Sequence, residues 1–223
     1  MSAEPSGLVI FDCDGVLVDS ERLTVVVESR VLTALGWPMD ADEVVARWMG
    51  RSSSAQHADV LAHLGPELTA VFEERTEREM RDVFDRDLRP VDGVVDLLDS
   101  LDRRGVPTCV ASSGSHAKMR RTLGVTRLWP RFAERIFSAD EVEHGKPAPD
   151  LFLHAASRMG VLPRDCVVVE DSVYGVRAAI AAGMTVYGYA GGLIAVEQLA
   201  EPGAQVFSTM DELADVLTRR VGD

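Results

Sequence analysis

The stretch Leu8-Val9-Ile10-Phe11-Asp12-Cys13-Asp14-Gly15 joins four apolar residues to two aspartates and a glycine. The apolar run is typical of a buried, central strand of a sheet. Because side chains alternate along a strand, we expect Asp12 and Asp14 to project together from its carboxyl end. One carboxylate of such a pair can attack phosphorus or hold a metal while the other donates and accepts a proton. Asp-Gly between apolar residues also favours a hairpin, so the rest of the chain has to decide between the two interpretations.

The composition is that of a soluble globular protein with an acidic surface. Of the 223 residues, 46% are hydrophobic and 26% charged, and the formal net charge is −13. This charge argues against a nucleic-acid or an anionic-membrane partner. An anionic substrate therefore needs local positive groups, and the chain has two lysines, Lys118 and Lys146, among many arginines. A lysine in such a sequence indicates a place where a compact ammonium is required.

The location is predicted from the cysteines and from the apolar segments. Cys13, Cys109 and Cys166 lie in or beside apolar runs without a disulfide framework, which is typical of a reducing compartment. The N-terminus lacks the basic region of a signal peptide, and glycines interrupt the uncharged segment 178–196. We expect a cytoplasmic protein with no membrane segment. A monomer is favoured.

The order of the elements predicts one α/β core with a helical insertion. Between Val18 and Leu88 the pattern indicates helices at 21–35, 41–48, 53–64 and 67–86 and no convincing strand. Beyond Pro90 strands and helices alternate, as in a doubly wound parallel sheet with helices on both faces. The predicted strands are 107–111, 135–138, 166–170, 185–189 and 205–208, and the predicted helices are 94–104, 115–123, 150–159, 173–182 and 210–220. The core would thus comprise residues 1–17 and 89–223, and the insertion residues 18–88.

Ligands of open α/β sheets bind beyond the carboxyl ends of the strands. Besides Asp12 and Asp14, this edge would carry three further segments, namely Ser112-Ser113-Gly114, Glu170-Asp171 and the loop that holds Lys146 between Gly145 and Pro147. Hydroxyls and backbone N–H groups before a helix can bind an anion, and the carboxylates offer the oxygen ligands that Mg²⁺ prefers. Each segment also has a purely structural interpretation, either as a helix cap or as a solvated loop lysine.

Together these segments resemble the four motifs of the haloacid dehalogenase superfamily of aspartate-nucleophile phosphohydrolases, with an all-helical cap inserted after the first motif. The resemblance implies that Asp12 forms an aspartyl-phosphate and that Asp14 acts as acid and base. It implies that Lys146, Ser112, Ser113 and Gly114 bind the phosphoryl group. Mg²⁺ would be held by Asp12, Asp14 and Asp171, with Glu170 at or beside the metal.

Asp14 stands where the superfamily's dehalogenases and phosphonate-cleaving members lack a carboxylate, and Cys13 stands where the transport ATPases have a lysine. The resemblance therefore implies a phosphatase of a small phosphorylated metabolite, a sugar or sugar-acid phosphate. The β-phosphoglucomutase type remains an alternative, although Thr24 replaces its cap histidine. A non-catalytic phospho-aspartate regulator is a third, disfavoured by the helical insertion. In the cap, Arg47, Gly50 and Arg51 are the candidates for substrate contact.

Overall fold

The computed structural model describes residues 7–48 and 53–220. The chain forms two compact units, one comprising the chain up to Asp19 and from Arg89 onward, and the other Ser20–Leu88. We refer to them as the sheet unit and the helical unit. Val18 and Asp19, which the sequence analysis assigned to the insertion, belong to the sheet unit. Val18 forms an antiparallel bridge with Pro90, and the N–H of Asp19 donates to the carbonyl of Arg89.

The helical unit has helices where the sequence predicted them. They are α1 (Glu21–Ala34), α2 (Ala41–Trp48) and α3 (Ser53–Asp87). Helix α3 is broken at Gly65, whose φ of 74° and ψ of 170° are not helical. Pro66 follows, so the segment is two helices that meet at the predicted boundary. Among the described residues, none of the helices has both the length and the hydropathy for a membrane span.

One carboxyl group is buried inside the helical unit. Glu28 of α1 is 8% exposed and accepts a hydrogen bond of 2.8 Å from Nε2 of Gln56. Burial raises the pKa of Glu28 from 4.5 to about 6, against the smaller, lowering effect of the Gln56 hydrogen bond.

The sheet unit contains the predicted doubly wound parallel sheet. Within the described residues it has six strands in the order β3-β2-β1-β4-β5-β6, all paired in parallel. The strands are β1 (Leu8–Phe11), β2 (Thr108–Ser112), β3 (Ile136–Ser138), β4 (Cys166–Glu170), β5 (Thr185–Tyr189) and β6 (Ala204–Phe207). Strand β1 is fully buried and lies between β2 and β4. The hairpin interpretation of Asp-Gly is therefore wrong, because β1 has parallel neighbours on both sides.

The remaining helices surround this sheet. They are α4 (Val94–Arg103), α5 (His116–Val125), α6 (Trp129–Phe132), α7 (Asp150–Met159), α8 (Val173–Ala181), α9 (Val196–Leu199) and α10 (Met210–Arg220). The four-residue helices α6 and α9 were not predicted, since one turn is too short to show a periodicity.

The strand register brings the candidate residues to one edge. Phe11 pairs with Val110 of β2 and with Val169 of β4, so Asp12 follows β1 beside the ends of both neighbours. Ser112 pairs with Ser138 at the end of β3. The carboxyl ends of four strands therefore meet around Asp12.

Candidate active site

Asp12 lies at the end of β1 and is 6% exposed. Its N–H donates to the carbonyl of Val169, and its Oδ1 accepts a hydrogen bond of 2.5 Å from Nζ of Lys146. Burial raises the pKa of Asp12 to about 7; Lys146 lowers it, whereas the charges of Glu170 and Asp14 add to the rise. The carboxylate is thus held in place, although its ionised form is costly.

Lys146 donates hydrogen bonds to two carboxylates at the carboxyl ends of β1 and β4. Its side chain is 5% exposed, and Nζ donates to Asp12, to Oε1 of Glu170 at 2.5 Å and to the carbonyl of Ala111 at 3.2 Å. These bonds use all three ammonium donors. Burial acts against the charge, but the two carboxylates outweigh it and raise the pKa of Lys146. The rare lysine therefore sits where the sequence suggested a fixed ammonium.

Glu170 ends β4 and is 1% exposed. While Oε1 binds Lys146, Oε2 accepts hydrogen bonds of 2.9 Å from both the N–H and the hydroxyl of Ser172. The carboxylate also lies against the first turn of α8, where a Cβ on Gly175 would come within 1.9 Å of it. Both oxygens of Glu170 are thus engaged by the protein, and Gly175 is a residue of the site that the sequence did not single out.

Asp171 follows directly and is 4% exposed. Its Oδ2 would lie 1.7 Å from a Cβ on Gly15, and Gly15 has a φ of +78°. Glycine is required here by both its backbone conformation and the close approach of the carboxylate. The fold thereby brings Asp171 against the loop that carries Asp14.

Asp14 is bound to a second lysine. Nζ of Lys118, in the first turn of α5, lies 2.6 Å from Oδ2 of Asp14, and the two side chains are 41% and 24% exposed. Partial burial acts against the lysine charge, but Asp14 outweighs it and raises the pKa of Lys118. The pairing of Lys118 with Asp14 was not predicted, because no motif in the sequence surrounds Lys118.

Ser112 begins a loop that hydrogen bonds hold at both ends. Oγ of Ser112, a 2% exposed residue, accepts from the N–H of Gly114 at 3.1 Å. The carbonyl of Gly114 accepts from the hydroxyl of Ser138 at 2.9 Å, and the N–H of Ser138 donates to Oε1 of Glu141 at 2.7 Å. Ser113, between the two, is exposed. Ser138 is a supporting residue that the sequence did not reveal.

The donors at this edge suit a hard cation better than a soft one. Carboxylate oxygens of Asp12 and Asp171 and the main-chain carbonyl of Asp14 are all oxygen ligands, which Mg²⁺ prefers. In residues 7–48 and 53–220, no three or more His, Cys, Asp or Glu side chains are arranged as a metal-binding cluster. A set of two side chains and one carbonyl does not require such a cluster.

The helical unit carries the remaining candidates, Arg47, Gly50 and Arg51. Gly50 and Arg51 lie outside the described residues. Arg47 binds the carboxylate of Asp59 through Nε at 2.5 Å and Nη2 at 2.8 Å, and its guanidinium lies 5.2 Å from the ring centre of Trp37. An open pocket of about 360 Å³ beside it is lined by Trp37, Pro38, Met39, Glu43, Ala46 and Arg47.

The chain is similar in sequence to known hydrolases. The family model for haloacid dehalogenase-like hydrolases matches residues 7–183. A 6-phosphogluconate phosphatase of Escherichia coli is 33% identical over 180 residues, 80% of each chain. A fructose-1-phosphate phosphatase of the same organism is 33% identical over 179 residues, 79% of this chain and 92% of its own.

Solved structures agree with this result. The crystal structure of a putative β-phosphoglucomutase from Thermotoga maritima superposes with a TM-score of 0.80 at 30% identity, covering 96% of this chain and 99% of that one. Both the sequence family and the fold of the resemblance are thereby confirmed. The chain belongs to the haloacid dehalogenase-like hydrolases, and within them it is a phosphoric monoester hydrolase.

Proposed function

We propose that the protein is a Mg²⁺-dependent phosphatase of small phosphorylated sugars or sugar acids that works through an aspartyl-phosphate on Asp12. The observation that carries the proposal is the separation of the two aspartates into different environments. Asp12 is buried and accepts a hydrogen bond from Lys146, whereas Asp14 is partly exposed and accepts one from Lys118. A pair of carboxylates in unlike surroundings can divide the roles of nucleophile and proton carrier.

The reaction has two steps. In the first, a carboxylate oxygen of Asp12 attacks phosphorus, the ester P–O bond breaks, and Asp14 gives a proton to the departing oxygen. In the second, Asp14 takes a proton from water, the water oxygen attacks phosphorus, and Asp12 is released with inorganic phosphate. Ser112 and the backbone around Gly114 would bind phosphoryl oxygens, and the positive charge of Lys146, held beside Asp12, would stabilise the transferred group.

The charge of the site supports a divalent cation. Asp12, Asp14, Glu170 and Asp171 bring four carboxylates, against two ammonium groups from Lys118 and Lys146. Asp12, Asp171 and the carbonyl of Asp14 would hold Mg²⁺, which when bound would neutralise this excess and polarise the phosphoryl oxygens. We assign Glu170 to the support of Lys146 rather than to the metal, since Lys146 and Ser172 engage its two oxygens.

The substrate class rests on the relatives, which are named as phosphatases of 6-phosphogluconate and fructose 1-phosphate. We further propose that the helical unit acts as the cap and selects the leaving group.

A mutase remains the second candidate because of the likeness to a putative β-phosphoglucomutase. Thr24 argues against a mutase, because it replaces the cap histidine and its hydroxyl donates to the carbonyl of Ser20, the residue before α1. The three free, buried cysteines support the cytoplasmic location.

A phosphate-release screen tests the proposal. Purified protein with Mg²⁺ is assayed against sugar, sugar-acid and nucleotide phosphates, then again with excess chelator. We expect sugar or sugar-acid phosphates to be preferred, and the activity to disappear with the chelator and in Asp12→Asn. The control is Asp42→Asn, which removes the same charge from an exposed position in α2. Undiminished turnover in Asp12→Asn would contradict the mechanism, and conversion of β-glucose 1-phosphate to glucose 6-phosphate without net phosphate release would favour the mutase.

A further inference from the structure

Each of the two lysines of the chain binds a different one of the two aspartates that follow β1. Lys146 binds Asp12, and Lys118 binds Asp14 at 2.6 Å. Because Lys146 already donates to Asp12, Glu170 and Ala111, it has no further proton to offer Asp14. Lys118 therefore supplies the ammonium group that binds Asp14.

The fold places Lys118 for this contact. Lys118 is the third residue of α5, and its N–H donates to the capping hydroxyl of Ser115 at 3.3 Å. Gly114 lies beside this contact, since a Cβ there would stand 3.4 Å from Cδ of Lys118 and 3.8 Å from Oδ2 of Asp14. The side chain of Lys118 therefore passes next to a residue without a side chain and reaches the carboxylate.

We propose that Lys118 is a positioning residue that holds the carboxylate of Asp14 toward the leaving group. The inference rests on the proposed function, in which Asp14 protonates the departing oxygen. A charge-assisted hydrogen bond to an ammonium is short and directional, and here it restrains a partly exposed carboxylate. It also offsets the repulsion between the neighbouring carboxylates of Asp14 and Asp12.

This role has a distinctive kinetic consequence. A sugar hydroxyl is a poor leaving group and needs its proton as the P–O bond breaks, whereas p-nitrophenolate leaves without one. The value of kcat/KM reports the enzyme's reaction up to the first irreversible step, which here is transfer of the phosphoryl group to Asp12. Loss of the correct placement of Asp14 should therefore lower kcat/KM for a sugar phosphate and spare kcat/KM for p-nitrophenyl phosphate.

The experiment compares the two substrates in Lys118→Met with Mg²⁺ present. The sugar phosphate is the one turned over fastest by the unaltered protein. We expect kcat/KM to fall about 10- to 100-fold for it, part of the full contribution of a general acid, and less than about 3-fold for p-nitrophenyl phosphate. Lys118→Arg keeps the positive charge and the hydrogen-bond donors, so it should recover part of the kcat/KM that Lys118→Met loses for the sugar phosphate. The control is Arg120→Met on the same helix, whose guanidinium instead lies 5.1 Å from the ring centre of Trp129.

Equal losses on both substrates, no loss on either, or an Lys118→Arg variant no better than Lys118→Met would overturn the inference. Because the lysine side chain is 41% exposed, the variants should fold, which thermal unfolding checks. Failure of the proposed function looks different: the unaltered protein would hydrolyse neither ester. If it hydrolyses both and Asp14→Asn shows the selective loss while Lys118→Met does not, the proposed function stands and the role of Lys118 is refuted.

Discussion

Replacing Gly175 with alanine tests how closely the carboxylate of Glu170 is held against α8. The new Cβ would lie 1.9 Å from Cδ and Oε1 of Glu170, whereas ordinary contact begins at 3.4 Å. The carboxylate would have to withdraw by about 1.5 Å. A displacement of this size along its 2.9 Å hydrogen bonds from Ser172 would lengthen them to about 4.4 Å, beyond the range of a hydrogen bond.

The expected cost follows from these two bonds. A hydrogen bond to a charged group contributes about 1.5–3 kcal/mol, so losing both costs about 3–6 kcal/mol. Alanine returns about 1 kcal/mol through its higher helix propensity. The free energy of unfolding should therefore fall by about 2–5 kcal/mol. Because Glu170 also positions Lys146, a shift of this size should lower kcat by about 100-fold.

Urea unfolding and phosphate release measure the two effects. The matched control is Gly124→Ala in α5, where a Cβ would meet nothing within 4 Å. That variant should gain up to about 1 kcal/mol and keep its activity. A Gly175→Ala variant as stable and active as Gly124→Ala would refute the reasoning, because it would mean that Glu170 has room to move without consequence.

Three further predictions follow from other contacts. Folding raises the pKa of Glu28 from 4.5 to about 6, so its stabilising effect is present below about pH 4.5 and lost as the pH rises through 6. Glu28→Gln should remove about 2 kcal/mol of pH dependence from the free energy of unfolding, and an unchanged pH profile would contradict this. Gly15→Ala, with a Cβ 1.7 Å from Asp171, should lose its Mg²⁺-dependent activity and unfold at lower temperature; activity at the original Mg²⁺ concentration would count against the close contact. Ser138→Ala removes the donor to the Gly114 carbonyl, so inhibition by inorganic phosphate should weaken about 3- to 10-fold, and an unaltered inhibition constant would exclude this support of the loop.

Most of the architecture was predictable because its signals are local. The apolar run before Asp12 and the uniformly apolar Val167–Val169 indicate buried parallel strands. The parallel arrangement then places all strand ends at one edge, which brought Asp12, Ser112 and Glu170 together without any knowledge of their contacts. The Gly65-Pro66 break was visible for the same reason, since both residues interrupt a helix in a known way.

The partners of these residues were not predictable, because pairing depends on tertiary approach. Lys118 lies on an exposed turn of α5, and no periodicity distinguishes it from a solvated lysine until the structure brings Asp14 to it. Gly175 occupies an ordinary helical position, and the requirement for glycine comes from Glu170, which meets it from the preceding strand. Ser138 is a similar case, because its hydroxyl donates to the carbonyl of Gly114 in the loop that follows the neighbouring strand β2.

The central claim is that Asp12 carries the phosphoryl group during turnover. The direct measurement is rapid acid quench of the protein with Mg²⁺ and p-nitrophenyl phosphate, followed by mass spectrometry of the peptide that contains Asp12 and Asp14. We expect one added phosphoryl group located on Asp12 in the unaltered protein and none in Asp12→Asn. A phosphoryl group on any other residue, or its presence in Asp12→Asn, would contradict the account.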